Sequence, residues 1–108
     1  MKKIILTLLL LPTLSLASIS SVFDNGHWYA ENSELTTHAH KPFKLQGKTY
    51  DHSLEFTTPY GESSKSDACE LVNPFHMVCY TMDDVLYNPG NHSVLLNSWG
   101  EEITYIQK

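Results

Sequence analysis

Cys69-Glu70-Leu71-Val72-Asn73-Pro74-Phe75-His76-Met77-Val78-Cys79 is the stretch that decides how the chain folds. Asn73-Pro74 is a turn signal, and the runs on either side are rich in strand-forming residues. If Asn73-Pro74-Phe75 is a three-residue hairpin loop, Val72 faces His76, Leu71 faces Met77, Glu70 faces Val78 and Cys69 faces Cys79. Directly opposed residues of a hairpin lie within the Cα separation that a disulfide bridges. The sequence therefore predicts a Cys69–Cys79 bond between the only two cysteines in the chain. The pair has no C-x-x-C spacing and no flanking base, which argues against a redox-active or catalytic thiol.

The pattern continues in both directions. Turn signals recur at Asp24-Asn25-Gly26, Gln46-Gly47-Lys48, Pro59-Tyr60-Gly61, Asn88-Pro89-Gly90-Asn91 and Ser98-Trp99-Gly100. Short runs rich in Tyr, Thr, Val, Phe and Ile lie between them, and no sustained helical stripe interrupts them. Strands are predicted at residues 27–32, 43–45, 49–57, 70–72, 76–82, 85–87, 93–97 and 103–107. Leu54 and Phe56 alternate with polar neighbours as in a half-buried strand, and Val78, Tyr80 and Met82 are expected to share a face. The expected class is all-β: a small antiparallel meander, sandwich or barrel with one hairpin disulfide. Residues 18–23 suit a helical turn or a frayed strand. Residues 58–67 are the most loop-like segment.

The chain begins Met1-Lys2-Lys3, followed by an apolar run from Ile4 to Leu11 and then Ser15-Leu16-Ala17. A basic start, an apolar stretch too short to span a bilayer and a small-x-small site make a secretory signal peptide. Residues 1–17 are read as that signal and residues 18–108 as a single small domain, periplasmic or secreted from a bacterium. A disulfide fits such an oxidising compartment. The domain has 91 residues, so its core is marginal and a covalent staple contributes materially.

Removal of the signal leaves all 12 acidic residues but only 5 of the 7 basic ones, a net charge of −7, with no arginine. Such a chain is a poor ligand for nucleic acid or phosphate. Nothing after the signal holds it to a membrane, and a charged macromolecular partner is expected to be basic.

Asn97-Ser98-Trp99-Gly100 resembles the segment that carries the catalytic asparagine of papain-like cysteine proteases, with His92 preceding an apolar strand as the family's histidine does. The resemblance implies that Asn97 orients His92 and that His92 activates a cysteine. Only four residues separate the two here, where the family has a strand, a turn and another strand. Neither Cys69 nor Cys79 sits in the family's nucleophile segment, so the triad cannot be built. A tight turn is expected instead, with Trp99 packing and Gly100 supplying the unusual backbone angle.

Gly47-Lys48-Thr49-Tyr50 resembles part of the Ser-Gly-x-x-Tyr loop of bacterial periplasmic inhibitors of c-type lysozyme. These are small β-barrels of similar size that usually carry a disulfide. Gln46 stands in place of the serine, and the cysteines lie ten apart rather than across the barrel, so the likeness is one of size and compartment.

Three function classes follow. The first is a binding, inhibitor or immunity-type protein that docks on another exported protein, such as a cell-wall hydrolase or effector toxin. It is supported by small size, acidity and an aromatic content beyond what so small a core hides. The contact is expected at Tyr60-Gly61-Glu62-Ser63-Ser64-Lys65 together with Tyr50 and the Gln46-Gly47-Lys48 turn, with Tyr50, Tyr60, Glu62 and Lys65 as the contact residues. The second is a small-ligand or metal carrier, with Zn or Cu held by His38, His40 and His52, since His38 and His40 share a face on a strand. The third is an enzyme. Its acidic pairs Asp83-Asp84 and Glu101-Glu102 point to opposite faces of a strand and do not cooperate. No cofactor is expected.

Overall fold

The structure is a computed structural model that describes residues 21–107. The predicted signal peptide lies outside the described residues. A single 3-10 turn, Val22–Asp24, leads into eight strands: β1 Asn25–Ala30, β2 Ser33–Leu45, β3 Lys48–Thr57, β4 Ser63–Asn73, β5 His76–Cys79, β6 Asp84–Asn88, β7 Ser93–Ser98 and β8 Glu101–Tyr105. They form one sheet in chain order, each antiparallel to the next. Tyr29 and Ile106 exchange both of their backbone hydrogen bonds at 2.7 Å, which joins β1 to the end of β8. The sheet is thus a nearly closed up-and-down barrel. Closure of this kind pairs the edge strands that an open sheet would expose.

Period-two alternation fills the interior. Trp28, Leu35, Leu54, Phe56, Met77, Val85, Val94, Leu96 and Tyr105 are buried, together with both cysteines. Gly26 makes room for the largest of these. A Cβ there would sit 2.1 Å from the Trp28 ring and 2.7 Å from Thr37 Oγ1. At one end the 3-10 turn closes the barrel, with Phe23 fully buried at 5.9 Å from the Trp28 ring. Ser21 and Asp24 form a capping box around that turn. Ser21 Oγ also donates to the Pro74 carbonyl at 2.6 Å, tying the plug to the β4–β5 hairpin.

The hairpin holds the predicted bond. Cys69 is joined to Cys79 with their Cα atoms 4.0 Å apart. Cys69, Glu70 and Leu71 pair with Cys79, Val78 and Met77 as expected. The loop is different. Asn73 rather than Val72 faces His76, so two residues make the turn and the register shifts between Leu71 and Asn73. The Asn73 side chain accepts the Phe75 amide at 2.9 Å, and this local bond fixes the tighter turn.

Three other expectations are corrected. β2 runs unbroken from Ser33 and includes residues 33–42, where no strand was expected. Its inward positions are Ser33, Leu35 and Thr37, too polar for a hydrophobic pattern, and pairing on both sides holds it instead. Pro42 is accommodated because β1 pairing ends at His38, leaving an edge where a missing N–H does no harm. The segment expected to be loop is a turn over residues 58–62, after which Ser63, Ser64 and Lys65 belong to β4. β5 stops at Cys79, so Tyr80 and Met82 lie in a turn, with Met82 at φ 76°. They do not continue a strand face with Val78.

Candidate functional site

Consecutive antiparallel strands place alternate turns at opposite ends of the barrel. The turns at 31–32, 58–62, 80–83 and 99–100 share one end. The plug and the turns at 46–47, 74–75 and 89–92 share the other. The first end carries a recess of about 540 Å³. Phe56 lines it together with Thr58, Glu62, Ser63, Ser64, Thr81, Asp83, Ser98, Trp99 and Glu101.

Each wall of this mouth has a local cause. Thr58 is buried, and its hydroxyl accepts the amides of Tyr60 and Glu62 at 3.3 and 3.1 Å. That shapes the 58–62 turn, leaves Tyr60 73% exposed at its tip and brings Glu62 to the recess. In the 80–83 turn, Asp83 is only 2% exposed. Its Oδ2 accepts the Thr81 hydroxyl at 2.9 Å, whereas its buried Oδ1 has no hydrogen-bond partner among the described residues. Trp99 and Gly100 both adopt left-handed backbone, at φ 53° and 86°. The Asn97 side chain accepts the Gly100 amide at 3.3 Å and organises this turn. Trp99 is therefore 81% exposed, where packing was expected. Met82, 72% exposed, stands on the neighbouring turn.

This end is also acidic. Glu31, Glu34 and Glu55 lie beside the mouth's Glu62, Asp83 and Glu101, and the one lysine nearby among the described residues, Lys65, is paired across strands with Glu55. A second recess of about 600 Å³, lined by Tyr29, Glu34, Glu55 and Thr57 among others, continues the surface past Phe56.

The expected contact residues divide between two places. Tyr60 and Glu62 belong to the mouth end. Lys65 is exposed on β4. Tyr50 is buried, 6% exposed, with its ring against Phe43 and Tyr80. The Gln46-Gly47-Lys48 turn lies at the opposite end of the barrel from Tyr60, because one strand separates the two turns. In the sequence, Asp83 and Glu101 read as members of non-cooperating acidic pairs and Trp99 as a packed residue, so none of the three is assigned to the site there. The signal available was a tryptophan at a turn position that calls for glycine or asparagine.

The histidine carrier site does not assemble. His38 pairs with Ser53, and Ala39 with His52, so His52 projects to the other face of the sheet from His38. The His38 and His40 rings lie 6.4 Å apart on the outer surface, near Ser53 and Asp67. His52 is buried between Asp51 and Asp24, at 2.8 and 2.7 Å from its two ring nitrogens. Among the described residues no three His, Cys, Asp or Glu side chains come close enough to hold a metal ion.

His40 has a structural task instead. Its two ring nitrogens meet the Lys41 and Asp67 carbonyl oxygens, each at 2.8 Å. Carbonyls only accept, so the doubly protonated ring satisfies both. The Lys41 carbonyl, with smaller help from those of Asp67 and His52, raises the His40 pKa above its ordinary value against a desolvation that lowers it. At the far end of the same hairpin Lys48 pairs with Glu70, and this contact raises the Lys48 pKa. His92, the other residue of the protease-like segment, bonds its Nδ1 to the Tyr87 hydroxyl at 2.7 Å.

The chain matches no protein-family model, and no curated protein or solved structure matches it significantly. Function must therefore be argued from the site.

Proposed function

We propose that the chain is an exported binding protein that docks on a basic protein through the acidic, aromatic-rimmed end of its barrel. The observation that carries this reading is the exposure of Tyr60, Met82 and Trp99, at 73, 72 and 81%, around the carboxylates of Glu62, Asp83 and Glu101. Large side chains held out of the core on short turns are suited to anchoring a partner, because little ordering remains to be done on binding. The carboxylates select a partner of opposite charge.

Export to the periplasm or medium is part of the proposal. The signal-like N-terminus and the disulfide support it. Among the described residues no helix is long and apolar enough to cross a membrane. The partner class in view is an exported cell-wall hydrolase or effector toxin, which the chain would inhibit by occupying its surface.

The test is capture of partners from extracts of the exported fraction on the immobilised mature chain. A basic protein should be retained, released by salt, and lost with Glu62→Lys/Glu101→Lys. Lys41→Glu/Lys44→Glu, far from the mouth, should retain it. The opposite pattern would reject this end as the docking face.

A further inference from the structure

We propose that the mouth is a receptor for one guanidinium group, an arginine side chain presented by the partner. This rests on the docking reading above and specifies what enters the recess.

Asp83 is the buried acid of the recess. Its carboxylate is almost entirely withdrawn from water, and one oxygen is buried with no donor facing it among the described residues. A buried carboxylate oxygen without a donor is costly, and a charge-assisted donor relieves that cost. Glu62, Asp83 and Glu101 only accept hydrogen bonds. The Thr58 hydroxyl oxygen accepts two turn amides and the Thr81 hydroxyl donates to Asp83, so the side-chain hydroxyls left to donate in the lining are those of Thr58, Ser63, Ser64 and Ser98. No lysine, histidine, asparagine or glutamine lines the recess. Three carboxylates without a facing cation favour a ligand that carries positive charge and donates hydrogen bonds. This disfavours anions.

The carboxylates do not converge closely enough to hold a metal ion. Acceptors spread around a recess of about 540 Å³ suit a planar fork with five N–H donors better than a compact ammonium. Trp99 stands at the rim with its ring exposed. A guanidinium stacks on such a face while keeping its in-plane donors for carboxylates.

The experiment titrates the mature, oxidised chain with Nα-acetyl-arginine amide, using the lysine and citrulline analogues as controls. Trp99 emission and backbone amide shifts report binding, since Trp28 is buried and distant from solvent. The expected Kd for arginine is on the order of 1 mM. Lysine should bind at least fivefold more weakly, and neutral citrulline should not bind. Amide shifts should map to residues 58–64, 80–83 and 98–101. Asp83→Asn should weaken binding at least tenfold. If that variant fails to fold, the exposed Glu101→Gln and Trp99→Asn serve, each expected to weaken binding at least threefold.

Citrulline or lysine binding as well as arginine would overturn the inference. So would unchanged affinity in these variants, or shifts confined to residues 41–48. The two proposals fail separately. If a basic partner is captured through the mouth but arginine amide does not bind, the docking reading stands and the guanidinium assignment falls. If arginine amide binds as described and no partner is captured, the assignment stands and the docking reading falls.

Discussion

Trp99 occupies the first position of a two-residue turn in which both residues have positive φ. Asparagine and glycine adopt that backbone easily, whereas other L-residues are strained by roughly 1–2 kcal/mol. The strain is not offset by packing, because the ring is 81% exposed. Trp99→Asn should therefore raise stability by about 0.5–1 kcal/mol in urea denaturation while weakening partner binding. Loss of stability would mean that the indole packs in solution. Gly26 is the opposite case. Gly26→Ala should destabilise by about 3 kcal/mol, since the new methyl would overlap the Trp28 ring and cannot be relieved without moving a fully buried side chain. His40 gives a pH signature. Its pKa is raised in the folded state, so its contribution is complete below the ordinary value of 6.5 and fades as pH rises through the folded-state value. The stability gap between wild type and His40→Gln, measured by urea denaturation from about pH 5 to about pH 9, should be largest at the acid end and shrink toward the alkaline end.

Among the elements, the β4–β5 hairpin is where local chemistry and global fold agree most closely. Closing its short loop with the Cys69–Cys79 bond is worth about 2–3 kcal/mol, and both sulfurs lie in the barrel core. Reduction, or Cys69→Ser/Cys79→Ser, should lower the unfolding free energy by that amount with the barrel still formed, as far-ultraviolet circular dichroism would report. The facing of Cys69 and Cys79 was legible because hairpin pairing depends only on nearby residues. The alternation of Leu54 and Phe56 was legible for the same reason. β2 was hidden because its inward positions are Ser33, Leu35 and Thr37, and a strand held by pairing on both sides leaves little hydrophobic trace. Ser63, Ser64 and Lys65 read as loop although they pair with Thr57, Phe56 and Glu55. The candidate site was legible only at Tyr60 and Glu62. Asp83, Trp99 and Glu101 join them through the order of eight strands around the barrel, and no local pattern encodes that order.

Across the whole molecule, most of the described lysines and half of the acidic residues lie toward opposite ends. The β2–β3 hairpin beyond the body, residues 38–50, holds three of the four described lysines and no acidic residue. The mouth end gathers Glu31, Glu34, Glu55, Glu62, Asp83 and Glu101. If residues 1–17 are removed and the partner is basic, as proposed, the remaining chain of net charge −7 would turn its mouth toward that partner during approach, and added salt would slow association. The most direct test of the docking face is site-specific photo-crosslinking in cells that export the protein. A photoreactive residue is placed in turn at Tyr60, Trp99, Phe43 and Leu86, all exposed. Tyr60 and Trp99 flank the mouth. Phe43 lies on the basic hairpin, and Leu86 on the outer face of β6. The account predicts adducts to one basic protein from positions 60 and 99 and none from 43 or 86. Adducts from position 43 or 86, with none from the mouth, would contradict it.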